Sequence, residues 1–202
     1  GTLSSMPEAS TVIQHHLTHP TWYVVRNAAD LCGDLDLTDA IPELSRQIHH
    51  PDDRVRRSVA GALAKLGTAG AMEPIRHALM DRSAPVRLEA LMHLDGRRRG
   101  RSLAMILAAL LENEQHPEVR REMLRALGRI GTADAVQALA RAAEGESKMF
   151  RKRKAGATQR VEAVRALALA GPAAATALRA LAEDEEEAVR SAALEALAAA
   201  GS

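Results

Sequence analysis

Hydrophobic residues recur along the chain at helical spacing, inside a longer repeat of about 31 residues. In each copy, Ala, Leu, Val or Met residues follow one another at intervals of three and four positions. The copies open at Val24, Val55, Val86, Val119, Gln159 and Val189, with spacings of 31, 31, 33, 40 and 30 residues. Helical phasing within a period of this length, without strand-like alternation, predicts a helical solenoid.

Each copy predicts two helices joined by a short turn. A first helix such as 55–66 ends at a Gly-Thr turn, as at Gly67-Thr68 and Gly131-Thr132. Glycine adopts the left-handed conformation that ends helices, and the polar residue after it can cap the next helix. Second helices such as 39–48 and 71–80 each carry one apolar stripe. Pro20, Pro51 and Pro117 mark the turns between copies, because proline is tolerated in the first turn of a helix.

The repeat predicts an all-α, right-handed α-solenoid of about a dozen helices, forming a single array over residues 1–202. The predicted units are a half repeat at 6–18, repeats at about 20–50, 51–81, 82–115, 116–154 and 155–184, and a terminal helix at 185–200. Because the array opens inside a repeat and lacks a capping unit there, we expect the chain to be a fragment of a longer protein.

The repeat motif resembles a known family. The pattern Val-Arg-x-x-Ala-x-x-Ala-Leu, followed by Gly-x-x-x-Ala, is clearest at residues 22–29 and 119–135. It is similar to the HEAT-like repeats of bacterial proteins, of the type first named after phycobilisome lyases. The resemblance implies a two-helix solenoid fold. It implies no single function, because such repeats serve scaffolds, lyases, hydroxylases and DNA-repair proteins alike.

Composition sharpens this picture. The 202 residues carry a net charge of +1, one cysteine and only three aromatic residues. The near-neutral charge argues against a globally basic packaging protein. Cys32 cannot form an intramolecular disulfide and fits a reducing compartment, so we expect a cytoplasmic protein. The longest apolar stretch, 166–178, is too short to span a membrane. Few aromatics and many alanines favour thin helical layers that approach closely.

The leading functional hypothesis is a noncatalytic protein-interaction or scaffold module. Solenoids bind extended partners on a concave surface, which the second helices are expected to line. Its predicted partner-binding side chains have mixed charge, which favours a protein or peptide partner of unknown identity. They are Glu43, Gln47, Glu73, Arg76, His77, Gln137 and Arg141.

Two basic segments, 97–101 and 148–154, supply an alternative. Clustered Lys and Arg neutralise phosphates and release counterions, so these segments could bind nucleic acid or phosphate. Solvated loops are the simpler interpretation. The candidate anion-binding residues are Arg97, Arg98, Arg99, Arg101, Lys148, Arg151, Lys152, Arg153 and Lys154. Phe150 could stack a base, or pin its loop to the solenoid.

The sequence offers no catalytic constellation. The hydroxylases of this repeat class use His-Glu dipeptides as iron ligands, and no histidine here precedes a glutamate. The histidines at 15, 16, 19, 49 and 50 lack an obvious carboxylate or thiolate companion, so neither a metal nor a cofactor is predicted. A remaining alternative is an accessory subunit of a lyase-type enzyme. Trp22 and Tyr23 are either an interaction hot spot or packed against the preceding helix.

Overall fold

A computed structural model describes residues 6–94, 100–145 and 156–200, which contain helices and turns. The fold is an all-α solenoid of two-helix repeats, as predicted. The α-helices are α1 Met6–His16, α2 Trp22–Asp34, α3 Ile41–Gln47, α4 Asp53–Leu66, α5 Met72–Leu79, α6 Ala84–Met92, α7 Gly100–Leu111, α8 Pro117–Ile130, α9 Ala133–Glu144, α10 Ala157–Leu169, α11 Ala175–Leu181 and α12 Glu187–Ala200.

The first helices α4 and α8 end where the repeat predicts, but each begins two residues before the predicted opening of its copy. In α4, the Asp52 carboxylate caps the N-terminus by accepting a hydrogen bond from the Arg54 amide. Gly67, at φ 58°, ends this helix in the left-handed conformation, and its amide donates to the Leu63 carbonyl. Gly131 ends α8 in the same way at φ 62°. The Gly-Thr turns predicted from the sequence are therefore confirmed as helix stops.

The second helices differ from the prediction in their first turn. Residues 39–48 and 71–80 were expected to be α-helical throughout, yet 3-10 turns at Thr38–Ala40 and Ala69–Ala71 lead into α3 and α5. Ala40 and Ala71 end these tighter turns and are fully buried. The apolar spacing of a single stripe is nearly the same for both helix types, so it did not distinguish them.

The chain divides into two compact units, Gly1–Asp95 with α1 to α6 and Gly96–Ser202 with α7 to α12. In the first unit, α4 lies between α2 and α6, and α3 and α5 pack beside these first helices. In the second unit, α10 lies between α8 and α12, and α9 and α11 pack beside them. The core of each unit is thus a series of thin aliphatic layers.

Close helix approach explains the small side chains. A Cβ atom on Gly128 of α8 would lie 2.2 Å from the Ala166 carbonyl oxygen of α10. One on Gly33 of α2 would lie 2.8 Å from the Ala62 Cα of α4. Cys32, beside Gly33, is fully buried, and burial raises its pKa to about 11. This cysteine is a small core residue, as its place on the apolar stripe predicts.

Candidate functional site: the polar surface of the second helices

The predicted second-helix residues of the first unit form two short polar networks, one on each helix. On α3, Glu43 accepts a hydrogen bond from the Gln47 amide at 3.2 Å and pairs with Arg46. On α5, the Arg76 guanidinium donates two hydrogen bonds to Glu73, at 2.6 and 3.0 Å. These hydrogen bonds and ion pairs join residues three or four positions apart on the same helix.

The α5 network is open to solvent. The Glu73 side chain is 64% exposed, and those of Arg76 and His77 are 43% and 49% exposed. The hydrogen bond from Arg76 lowers the pKa of Glu73, and the nearby His77 contributes to the same shift. Glu73 is therefore a carboxylate at neutral pH. Glu43 is more enclosed, with 17% of its side chain exposed.

Two imidazole rings connect the second helices of the first unit. The rings of His49, just beyond α3, and His77 on α5 meet edge to face at 5.2 Å between centroids. Arg46 and His49 extend this polar surface and were not among the predicted residues. The repeat contains the missed signal, because Arg46 and His77 are 31 positions apart and so occupy equivalent places.

In the second unit, Gln137 and Arg141 lie one turn apart on α9, and both are exposed. They share a helix face because residues four positions apart are neighbours on a helix surface. The structure thus brings the predicted partner-binding residues together in three groups, on α3, α5 and α9.

Turns between repeats are closed by a side chain that accepts a backbone hydrogen bond two residues later. The Nδ1 atoms of His19 and His50 accept from the amides of Thr21 and Asp52, at 3.1 and 3.0 Å. Asp81 makes the same bond at its turn, accepting from the Ser83 amide at 2.8 Å. His19 and His50 therefore have a structural role in their turns. Within residues 6–94, 100–145 and 156–200, no three His, Cys, Asp or Glu side chains group to hold a metal.

A buried arginine links two successive turns. Arg56, only 5% exposed, donates to both oxygens of Asp81 at 2.7 and 3.0 Å. It also donates to the carbonyls of His50 and Pro51, at 2.8 and 3.0 Å. Arg160 repeats the arrangement in the second unit, where it binds Asp184 and the Ala143 carbonyl. These arginines hold neighbouring repeats in register.

On the exposed face of the first helices, three ion pairs each join two helices, beside pairs that stay within α8. Lys65 of α4 binds Asp34 of α2 at 2.8 Å. Arg57 of α4 binds Glu89 of α6 at 2.8 Å, and Arg121 of α8 binds Glu162 of α10 at 2.9 Å. Polar side chains on this face therefore fasten one repeat to the next.

Aromatic residues open α2. The Arg54 guanidinium lies over the Trp22 ring, 3.5 Å from its centroid, in a cation-π contact. Trp22 is half-buried and meets Tyr23 edge to face at 5.8 Å between centroids. Tyr23 itself is 52% exposed, and packing of these rings against the preceding helix stays a prediction. Its exposure leaves the tyrosine accessible on the surface.

Comparison with protein-family models gives two overlapping matches to HEAT repeats, at residues 9–94 and 72–159. Together these matches cover more than half of the chain. The chain belongs to the HEAT repeat family. The curated proteins include no significant match to it.

Comparison with solved structures finds chains that are similar to this one. An engineered protein from a structural genomics consortium is 19% identical, with a TM-score of 0.59 and 96% of each chain covered. Cex1p is 18% identical, with a TM-score of 0.61, 96% of this chain and 43% of that chain covered. Human deoxyhypusine hydroxylase is 21% identical, with a TM-score of 0.47; the match covers 96% of this chain and 84% of that chain. For the engineered protein and Cex1p, identities this low show similarity of fold alone.

Two open grooves in the described part of this HEAT repeat chain are polar. One, of about 540 Å³, is lined by residues 51–54 and by Arg56, Arg82 and Ser83. Another, of about 400 Å³, lies along the first helices and is lined by charged residues that include Arg26, Arg57 and Glu89. Small-molecule sites are mostly concave and apolar, so these grooves suit polar contacts better than an enclosed substrate.

Of the candidate anion-binding residues, the structure describes Arg101 alone. Its side chain is 81% exposed and donates to Asp134 at 3.0 Å. The others, and Phe150, lie outside the described residues; they are Arg97, Arg98, Arg99, Lys148, Arg151, Lys152, Arg153 and Lys154. In the described part of the chain, no helix is long and apolar enough to cross a membrane.

Proposed function

We propose that this HEAT repeat chain is a noncatalytic protein-interaction module, and that its partner contacts the second helices. The observation that carries the proposal is a contrast, within the first unit, between the ion pairs of α3 and α5 and those that link the first helices. On the first helices, Lys65–Asp34 and Arg57–Glu89 join neighbouring repeats. The ion pairs on α3 and α5 stay within one helix turn, as at Arg76–Glu73.

This contrast separates residues that support the fold from residues that are available to bind a partner. Exposed ion pairs three positions apart on one helix contribute only about 0.2–0.5 kcal/mol to stability. The fold therefore gains little from the Glu73–Arg76 pair, which stands beside His77 on an open surface. Their donors and acceptors are free to exchange an intrahelical partner for a group on another protein.

Mixed charge favours a polar protein or peptide as the partner. Glu73 offers carboxylate oxygens, Arg76 offers a planar set of donors, and the imidazole of His77 can donate or accept. Such a surface matches the polar rim of a protein interface better than it matches a uniformly charged polymer. An accessory role beside a lyase-type enzyme would use the same surface.

The type of HEAT repeat and its setting are further parts of the proposal. The Val-Arg motif of 119–135 is similar to the phycobilisome-lyase type of bacterial repeat. Cys32 is the one cysteine of the chain, and a lone thiol fits a reducing compartment. We therefore place the module in a bacterial cytoplasm.

A charge swap tests the surface without breaking its ion pair. In Glu73→Arg combined with Arg76→Glu, the intrahelical pair and the net charge persist, but the pattern that a partner meets is reversed. We expect wild-type protein to capture specific partners from a lysate of the source cells, with the swap variant losing them. Quantitative mass spectrometry of the captured proteins measures the loss.

The matched control reverses a pair on the other face, Asp34→Lys combined with Lys65→Asp. This control should retain the same captured proteins as wild type. If both swaps lose the same proteins, or if neither loses any, the second helices are not the docking surface.

A further inference from the structure

The ion pairs that join successive first helices follow a repeated pattern, which changes between α2 and α4. In this pattern, an arginine two positions after one copy's opening residue binds a glutamate three positions after the next opening residue. Two such pairs are present, at 2.8 and 2.9 Å: Arg57–Glu89 and Arg121–Glu162. The equivalent residues of α2 and α4 are Arg26 and Ser58. Ser58 therefore occupies the position from which the other two pairs take their carboxylate.

Arg26 has a neutral acceptor instead of a carboxylate. Its guanidinium donates to the Asn27 side-chain oxygen at 3.1 and 2.7 Å. Asp30, one turn further along α2, forms no ion pair with Arg26 in the described part of the chain. Hydrogen bonds between two charged groups are stronger than those between a charged group and an amide. Arg26 can therefore exchange Asn27 for a carboxylate with a gain in binding energy.

The Trp22 ring positions Arg26 beside α4. The Arg26 guanidinium carbon lies 5.6 Å from the centroid of this ring, and that of Arg54 lies 3.5 Å from it. Both distances fall within the range of a cation-π contact, which orients a guanidinium without cancelling its charge. Arg54 also pairs with Asp52 at 2.6 Å. Of the two arginines at this ring, Arg26 is thus the one available to an acidic group.

Arg26 and Ser58 line the same open groove, of about 400 Å³. Four basic side chains and two acidic ones surround this groove. Gly61 and Ala62 of α4 also line it, and their small size lets another chain approach the helix closely. Both helices that supply Arg26 and Ser58 belong to the first unit. The groove therefore combines an excess of positive charge with room for an extended segment.

We propose that this groove binds an acidic peptide segment of a partner protein. One carboxylate of the segment takes the role that a glutamate has in the two pairs above. Arg26 donates to it with the planar fork of its guanidinium, and the Ser58 hydroxyl donates a further hydrogen bond. This site lies on the first helices, apart from the α3 and α5 surface, so either site can fail without the other. The Asp34 and Lys65 exchange leaves both of its binding residues in place.

Trp22 reports directly on this site, because it is the one tryptophan of the chain. The probe is a short glutamate-rich peptide without tryptophan, titrated into the full chain at low salt. We expect a saturable change in Trp22 fluorescence, with an affinity that falls as salt is added. The same peptide with glutamine in place of glutamate should leave the fluorescence unchanged. No change with the glutamate peptide overturns the proposal, and so does equal binding of the glutamine peptide.

Two variants should remove binding by different changes. Arg26→Gln removes the donor fork, whereas Ser58→Glu supplies the carboxylate from the chain itself, as Glu89 does for Arg57. Isothermal titration calorimetry should show a loss of affinity of about tenfold or more in each variant. Circular dichroism checks that both retain native helicity. Unchanged affinity in either folded variant overturns the proposal.

The matched controls make the same substitutions in the second unit, at exposed positions of other first helices. Arg121→Gln and Ser191→Glu change the net charge equally and should bind the peptide like wild type. Asp30→Asn removes an acidic side chain from the groove and should tighten binding. Equal losses in the controls would indicate unspecific charge attraction and overturn the site. Tighter binding of a single-stranded oligonucleotide that also depends on Arg26 would overturn the assignment of an acidic peptide.

Discussion

In the first unit, the first helices and the second helix α5 use several charged side chains differently. On the first helices, Arg57 and Lys65 reach across to carboxylates 31 or 32 positions away, on the neighbouring repeats. On the second helix α5, Arg76 and His77 meet Glu73 within one turn of the same helix. Similar residue types thus connect repeats on the first helices and form contacts within one helix on the surface of α5. Charge composition alone does not tell a structural surface from one available for binding.

The largest expected effect on stability comes from breaking the buried ion pair between Arg56 and Asp81. Arg56→Met leaves the Asp81 carboxylate, whose side chain is 10% exposed, without its bidentate partner. Removing one member of a buried ion pair costs about 3–5 kcal/mol. Urea unfolding should show a loss of that size. The neighbouring change Arg57→Met is the control and should cost under about 1 kcal/mol, because Arg57 is exposed.

Acid should weaken the same link. Burial raises the pKa of Asp81, but hydrogen bonds from Arg56 and the Ser83 amide outweigh it, so the folded-state pKa is lowered. A carboxyl with a lowered folded-state pKa stabilises the fold above its unfolded pKa of about 4 and loses this contribution as pH falls toward the folded value. The unfolding free energy should therefore fall below about pH 4 in wild type, and less steeply in Asp81→Asn. Equal slopes in both proteins would contradict the role given to Asp81.

Close approach of the first helices predicts the next effect. Gly128→Ala puts a methyl group against the Ala166 carbonyl oxygen, where an ideal Cβ lies at 2.2 Å. Overpacking of this kind costs about 1–3 kcal/mol, although alanine is the better helix former by about 0.5–1 kcal/mol. Thermal or urea unfolding should show destabilisation.

Gly61→Ala provides the contrast within the first helices. Its Cβ would meet the flexible Glu89 side chain at 3.1 Å, which can move aside. We expect this variant to be neutral or slightly stabilised. If Gly128→Ala were as stable as Gly61→Ala, the backbones of α8 and α10 would not be in the close contact described.

A smaller effect belongs to the exposed pair that joins α4 and α6. A double-mutant cycle with Arg57→Ala and Glu89→Ala should give a coupling energy of about 0.2–1 kcal/mol. Salt should reduce this coupling, because Arg57 is 59% exposed. Zero coupling at low salt would remove this pair from the set that ties the repeats together.

Repeat periodicity predicted the helices and their stops because both depend on local sequence. Apolar spacing fixes the buried stripe, and Gly67 and Gly131 adopt the left-handed conformation at the turns. The 3-10 turns before α3 and α5 were not predicted, because a short apolar stripe fits either an α-helix or a 3-10 helix.

The ion pairs could not be predicted from the sequence for another reason. Whether Arg76 binds Glu73 or a residue in another repeat depends on three-dimensional approach, which one helix pattern does not contain. The Arg56–Asp81 link could have been found in the sequence. Arg56 and Asp81 are 25 positions apart, and the second unit repeats the same residue types at Arg160 and Asp184, which are 24 apart. In the first copy Val25 takes the place of Arg56, and the following turn has His50 instead of aspartate.

The central claim is that the exposed Glu73–Arg76 pair on α5 is not needed for the fold. Urea unfolding of the double variant Glu73→Ala, Arg76→Ala tests it most directly. Intrahelical exposed pairs are weak, and alanine is a strong helix former, so we expect an unfolding free energy within about 0.5 kcal/mol of wild type. A loss of about 2 kcal/mol or more would contradict the account, because it would make this surface structural.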